Sequence, residues 1–341
     1  MPSSAAFLNP TQAAQRLGVS VKALRLYEQR GLLAPTRSAA GWRAYSPEAM
    51  ERASEIVALR QLGLSLAQVG RVLDGAPDDL TTALAALQSR LEDQSRQVSE
   101  TLVRLRALRA DLAAGKIPDV GALAAVLAEN QSPAVGFALP WPWGGEWFEL
   151  GILQPLSFII GPLGSGKTRL SMRLAEALSG GRFVGLDRGN DVEARLAADP
   201  ALRQRVDQAV TWLVEEGGTV SDSLIALLSE IEAQGPRVLV VDMVEQGLDH
   251  ATQEALIALL RARRSPTRPL MLMTRSSAIL DLAAVDPDEA IILCPANHSP
   301  PMLVDPYPGA PGYEAVATCL ATAEVRARTE GVIAMRPGMA S

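Results

Sequence analysis

The residues best suited to chemistry lie in one run, Gly161-Pro162-Leu163-Gly164-Ser165-Gly166-Lys167-Thr168. Its pattern, G-x-x-x-x-G-K-T, puts small residues where backbone N–H groups must turn inward and wrap phosphate oxygens. Gly161, Gly164, Ser165 and Gly166 form that cradle, Lys167 reaches the outer phosphates, and the Thr168 hydroxyl suits Mg²⁺. A carboxylate for the same ion is expected at Asp242, which ends the apolar run Arg237–Val241. Together these residues point to ATP and Mg²⁺ as cofactors. The next residue is Met243, whose thioether cannot take a proton from an attacking water. Glu245 is the candidate catalytic base, provided its loop brings it round.

A phosphate loop needs a strand before it and a helix after it, whose N-terminus adds the positive end of a dipole. Leu156–Ile160 reads as the strand and Arg169–Leu178 as the helix, with Leu178-Ser179-Gly180-Gly181 as its stop. Further strands are expected at Pro269–Met273, Ile291–Leu293 and Met302–Val304, and a closing helix at Tyr313–Thr329. Trp141, Trp143 and Trp147 have two readings, stacking an adenine ring or packing a domain seam, and packing is favoured. Cys294 and Cys319 are the only cysteines and show no metal or disulfide spacing.

A second group of interest is basic. Residues 1–77 carry nine Lys/Arg against five Asp/Glu, whereas residues 117–341 carry seventeen against twenty-seven, within a net charge of −6. The basic end can attract nucleic acid while the acidic body stays off it. Thr11 is placed to cap a helix over Gln12–Leu17, broken by Gly18, and Ser20 to cap Val21–Arg30, stopped by Gly31. Two short helices joined in this way make a helix-turn-helix. Lys22 and Arg25 share a face at the start of the second helix, where base edges are met.

The stretch Arg25-Leu26-Tyr27-Glu28-Gln29-Arg30-Gly31-Leu32-Leu33, followed by Gly41-Trp42-Arg43-Ala44-Tyr45, resembles the MerR family of transcription regulators. The resemblance runs over nearly all of residues 9–75. It implies a winged helix-turn-helix in which Arg25, Tyr27, Arg43 and Tyr45 contact the DNA backbone. Leu26 departs from the aromatic usual at its place. Trp42 reads equally as a core anchor of the wing. The long helix that follows, Asp78–Ala114, has Leu84, Leu91, Val98, Leu105 and Leu112 at one heptad position and Leu80, Leu87 and Leu108 at another, the seam of a coiled coil. In the MerR family such a helix pairs antiparallel, so a homodimer through Leu80–Leu112 is implied, on promoter DNA beside RNA polymerase. Metal-sensing members carry cysteines near this helix, and residues 78–133 have none.

The phosphate loop, and the interval from Asp242 to Leu248-Asp249, resemble ATP-binding-cassette and SMC-like ATPases. That superfamily places a catalytic Glu where Met243 stands and a switch His where Arg275 stands. The resemblance implies that Ser221 touches the γ-phosphate of a partner subunit's ATP. The expected architecture is multidomain α plus α/β. It comprises a winged helix-turn-helix (1–77), a long coiled-coil helix (78–115), a linker (116–133) and a P-loop NTPase α/β domain (134–341). The expected function is a DNA-binding regulator governed by ATP with weak or no hydrolysis. The alternatives are a DNA-associated ATPase, or a regulator whose dead ATPase head binds another ligand. No apolar run is long enough for a membrane span and no signal peptide is read, so a cytoplasmic location is expected.

Overall fold

The computed structural model describes residues 7–37, 42–113, 116, 135–151 and 153–321. The expected short helix at Val120–Leu127 and the boundary at Asn130–Pro133 lie outside these.

The helical domain opens with α1 (Pro10–Leu17) and α2 (Val21–Gln29). Asn9, not Thr11, caps α1: its side chain accepts from the Gln12 backbone, and Gln12 returns a bond to the Asn9 backbone. This reciprocal pair satisfies two otherwise orphaned N–H groups, and Pro10 fits the first helical position, so the helix starts earlier than the sequence suggested. Ser20 caps α2 as expected. Antiparallel strands β1 (Thr36–Arg37) and β2 (Arg43–Ala44) form the wing, followed by α3 (Pro47–Gln61) and α4 (Leu66–Leu73). Ala13, Leu24, Tyr27, Tyr45, Ala53, Ile56 and Val69 are its core.

The long helix α5 (Asp78–Ala113) leaves Leu84, Leu91, Val98, Leu105 and Leu112 each 37–56% exposed. Five apolar side chains at heptad spacing lie exposed among the described residues, while Thr101 on the same helix is buried.

The sheet domain begins with the hairpin β3 (Val135–Ala138) and β4 (Trp147–Leu150). Then follow β5 (Leu156–Ile160), α6 (Lys167–Ala177), β6 (Gly181–Val184), α7 (Val192–Ala198), α8 (Pro200–Glu215) and α9 (Asp222–Ile231). The remainder is β7 (Val238–Val241), α10 (His250–Arg263), β8 (Leu270–Met273), β9 (Glu289–Leu293), β10 (Met302–Leu303) and α11 (Tyr313–Cys319). The closing helix stops at Cys319, short of the expected Thr329. Leu320 turns extended, and Ala321 bonds instead to the backbone of Arg275 and Ser277.

The main sheet runs β10-β9-β5-β8-β7-β6, parallel except for β10. Helices cover both faces, so the central strands are apolar throughout. Leu156, Phe158 and Ile160 face α8–α10, while Ile159 faces α6 and the hairpin. Because the strands are parallel, the loops after β5, β6, β7, β8 and β9 all emerge at one edge. Such an edge is where ligand clefts form in α/β sheets.

Candidate functional site

The glycine-rich loop 161–166 lies at the centre of that edge, between β5 and the N-terminus of α6. Gly166 caps α6 with φ of 90°, a left-handed conformation, and a Cβ there would come within 2.6 Å of the Trp143 ring. Both constraints call for glycine. Trp143 is buried, anchored by its indole N–H to the Ser299 carbonyl at 3.1 Å, and forms the floor under the loop. Trp141, 72% exposed, stands at the mouth of the same cleft. The tryptophan run thus divides between packing and a free aromatic face.

The cleft measures about 550 Å³ and is lined by Gly164, Gly166, Lys167, Thr168, Asp242, Met243, Arg275 and His298 among others. Lys167 is buried and donates to the Gly161 and Pro162 carbonyls at 2.8 and 2.6 Å. Burial pushes its ammonium below the usual lysine range, and Arg275 nearby adds to the effect. Thr168 Oγ1 lies 3.4 Å from Asp242 Oδ2. Asp242 is 6% exposed, and burial raises its carboxyl above the usual range against the pull of Thr168, Arg188 and Lys167. Its Oδ1 and the Ser165 hydroxyl are buried without a hydrogen-bond partner. A cation facing only carbonyls, beside an orphaned carboxylate oxygen, suits an anion and a divalent metal entering together.

Met243 has φ of 41°, rare for a side chain with a Cβ. Arg188, from the loop after β6, holds this turn by donating to the Asp242 and Met243 carbonyls at 2.8 and 3.0 Å. Glu245 does not line the cleft. It is 2% exposed and accepts from the Arg275 backbone at 3.0 Å. The Ser221 hydroxyl caps α9, accepting from Leu224 N at 3.2 Å. His298, with φ of 57°, places Nε2 3.0 Å from the Gly164 carbonyl rather than on Cys294. Cys294 is buried beneath the loop, its thiol pushed up to about 12 by burial. Reading in one dimension passes over Arg188, because a lone Arg in a loop carries no pattern.

On the helical domain, Lys22 and Arg25 are on the exposed face of α2, and Arg43 reaches back to Glu28 at 3.0 Å. Tyr27 and Tyr45 are 5% and 1% exposed, and Tyr45 donates to Glu28. Both rings belong to the core of the domain. Trp42, by contrast, is 76% exposed and is no core anchor.

The two domains touch. Glu216, at the end of α8, accepts from Arg60 at 2.6 Å and from the Leu66 backbone at the start of α4, while its own carbonyl takes Arg30. Glu215 accepts from Ser65 and Arg71 at 2.7 and 3.0 Å, and Trp212 donates to the Gly63 carbonyl at 3.0 Å. Lys22 pairs with Glu254 of α10. Sequence reasoning missed this whole set.

Among known proteins, residues 8–76 match the model for "MerR HTH family regulatory protein". The nodulation protein NolA of Bradyrhizobium sp. (strain NC92) is 39% identical over 95 residues, 28% of this chain and 40% of NolA. The chain thus spans about two fifths of that relative's length. The HTH-type transcriptional regulator CueR of Vibrio cholerae is 30% identical over 106 residues, 31% of this chain and 76% of CueR. Of solved structures, cbiO1 from Clostridium perfringens, part of the ABC transporter complex cbiONQ, overlaps 52% of this chain and 89% of its own at 16% identity. Its TM-score of 0.37 is too low to bear a structural argument. With three quarters of CueR's length matched at this identity, the chain belongs, through its N-terminal third, to the MerR helix-turn-helix family of regulatory proteins.

Proposed function

We propose that this chain is a DNA-binding transcription regulator whose helical domain reads promoter DNA and whose sheet domain binds ATP with Mg²⁺ to govern it. The observation that carries the nucleotide half is the shared cleft: buried Lys167 bonded only to loop carbonyls, beside an Asp242 oxygen and a Ser165 hydroxyl that lack partners. The loop N–H groups and Lys167 would hold the phosphates, and Thr168 and Asp242 the Mg²⁺, which when bound neutralises phosphate charge. Trp141 offers its free face to the base.

Turnover is expected to be weak. Glu245, the candidate general base, has its Oε1 on the Arg275 backbone and lies off the cleft wall. This favours a binding switch over a DNA-associated ATPase. A dead head taking another ligand is disfavoured by Lys167, Thr168 and Asp242 standing together. The exposed α5 stripe supports homodimerisation, which would place two readers on a near-palindromic site. RNA polymerase contact and a cytoplasmic location belong to the same reading.

The test is titration of a fluorescent ATP analogue with Mg²⁺ into the full chain. Saturable binding lost in Lys167→Ala supports the reading. No binding, or turnover of several per second, removes it.

A further inference from the structure

We propose that the sheet domain masks the DNA-reading helix: docked as here, it excludes duplex DNA, and DNA binding requires it to leave. The proposal rests on the DNA-reader assignment above and extends it to how the reader is silenced.

Contacts reach both ends of α2. Lys22 near its start is held by Glu254, and Arg30 just past its end by the Glu216 carbonyl. Between them lies a space of about 1000 Å³, with Arg25 and Leu26 on one wall and Ile257, Arg261 and Asp281 on the other. A major groove about 12 Å wide admits a helix but would set its two walls on either side of α2, where Ile257, Arg261 and Asp281 of the sheet domain already stand. A recognition helix must lie inside that groove, so the two placements of α2 exclude each other.

The contacts also have the chemistry of a displaceable cover. The carboxylates of Glu215, Glu216 and Glu254 take up Arg71, Arg60 and Lys22, cations that DNA would otherwise attract. Interfaces of this polar kind between domains permit movement. The mask also has a link to the nucleotide cleft. On α10, Glu254 follows Gln253, which accepts from the Ser276 hydroxyl at 2.6 Å, and Ser276 adjoins Arg275 on the cleft wall. One helix therefore bonds a neighbour of the cleft wall and pairs with the recognition helix.

The test uses the full chain and a fluorescein-labelled mixed-sequence duplex of about 40 base pairs at low salt, read by anisotropy. Glu215→Gln/Glu254→Gln removes two masking charges. Glu176→Gln/Glu193→Gln removes two charges from exposed positions on the same domain and controls for net charge. The released variant is expected to bind about tenfold tighter than both wild type and the control, and to show a larger radius of gyration in small-angle scattering. Equal, salt-dependent binding by all three overturns the mask alone. If no form binds DNA in a salt-dependent way, the reader assignment fails and the mask with it.

Discussion

Arg60 donates to Glu216 at 2.6 Å across 156 residues of chain, and its guanidinium lies 5.4 Å from the centre of the Trp212 ring. One arginine thus makes an ion pair and a cation–π contact with the same end of α8. Glu216 also sits at the N-terminus of α4, where a carboxylate is favoured by the unpaired N–H groups and the helix dipole. With its side chain 4% exposed, this carboxylate cannot be removed without leaving a poorly solvated cation behind.

Glu216→Ala is therefore expected to uncouple the domains while each stays folded. Breaking one half of a buried pair costs about 3 kcal/mol. Calorimetry should show one coupled transition in wild type resolving into two in the variant. A single transition, merely shifted, would mean that Glu216 serves the fold of one domain only.

Arg25 is exposed on α2 and free of the pairing that ties Arg43 to Glu28. Arg25→Ala should weaken binding to mixed-sequence DNA and lower the slope of log K against log salt by about 1. Arg43→Ala should act likewise, with a smaller loss because its charge is partly engaged already. Unchanged affinity and slope in both variants would remove α2 and the wing from the DNA interface.

Much of this was readable in one dimension, and what escaped was of one kind. The strand–glycine-rich turn–helix unit, the Ser20 cap and the apolar strands are local patterns whose physics is complete within a few residues. The hairpin β3–β4 escaped because its four-residue strands are too short to show a period. Gly166 needs Trp143 beneath it, but nothing local says which tryptophan arrives there. Glu215-Glu216 reads as a solvated helix end, and only the fold brings it to Arg60, Arg71 and Leu66. The burial of Tyr27 and Tyr45 was equally illegible, since only the fold closes the core over them.

Asp242 gives a prediction with a sign. Its carboxyl is raised by burial, so ionising it costs more in the folded than in the unfolded chain. Its contribution is most favourable below the unfolded value of about 3.9 and is lost as pH rises through the raised folded value. At neutral pH, Asp242→Asn should therefore melt higher than wild type without nucleotide, by about 2–4 °C, while losing Mg²⁺-dependent nucleotide binding. The difference in melting temperature should shrink toward pH 4. A variant less stable than wild type at neutral pH would show that the carboxylate is structural.

Val98 is 56% exposed at the centre of the α5 stripe. In a monomer, Val98→Lys would change stability by no more than about 0.5 kcal/mol. If α5 is a dimer seam, the same change places two cations in it, and sedimentation should show a shift from dimer to monomer. An unchanged sedimentation coefficient would return α5 to a lone helix.

The central claim is that nucleotide in the Lys167 cleft alters what α2 can reach. It is tested most directly by the affinity of the full chain for mixed-sequence duplex with and without a slowly hydrolysed ATP analogue and Mg²⁺, in wild type and Lys167→Ala. The expected result is a change of about fivefold or more in wild type and none in Lys167→Ala. Equal DNA affinity in wild type with the cleft shown to be filled would contradict it.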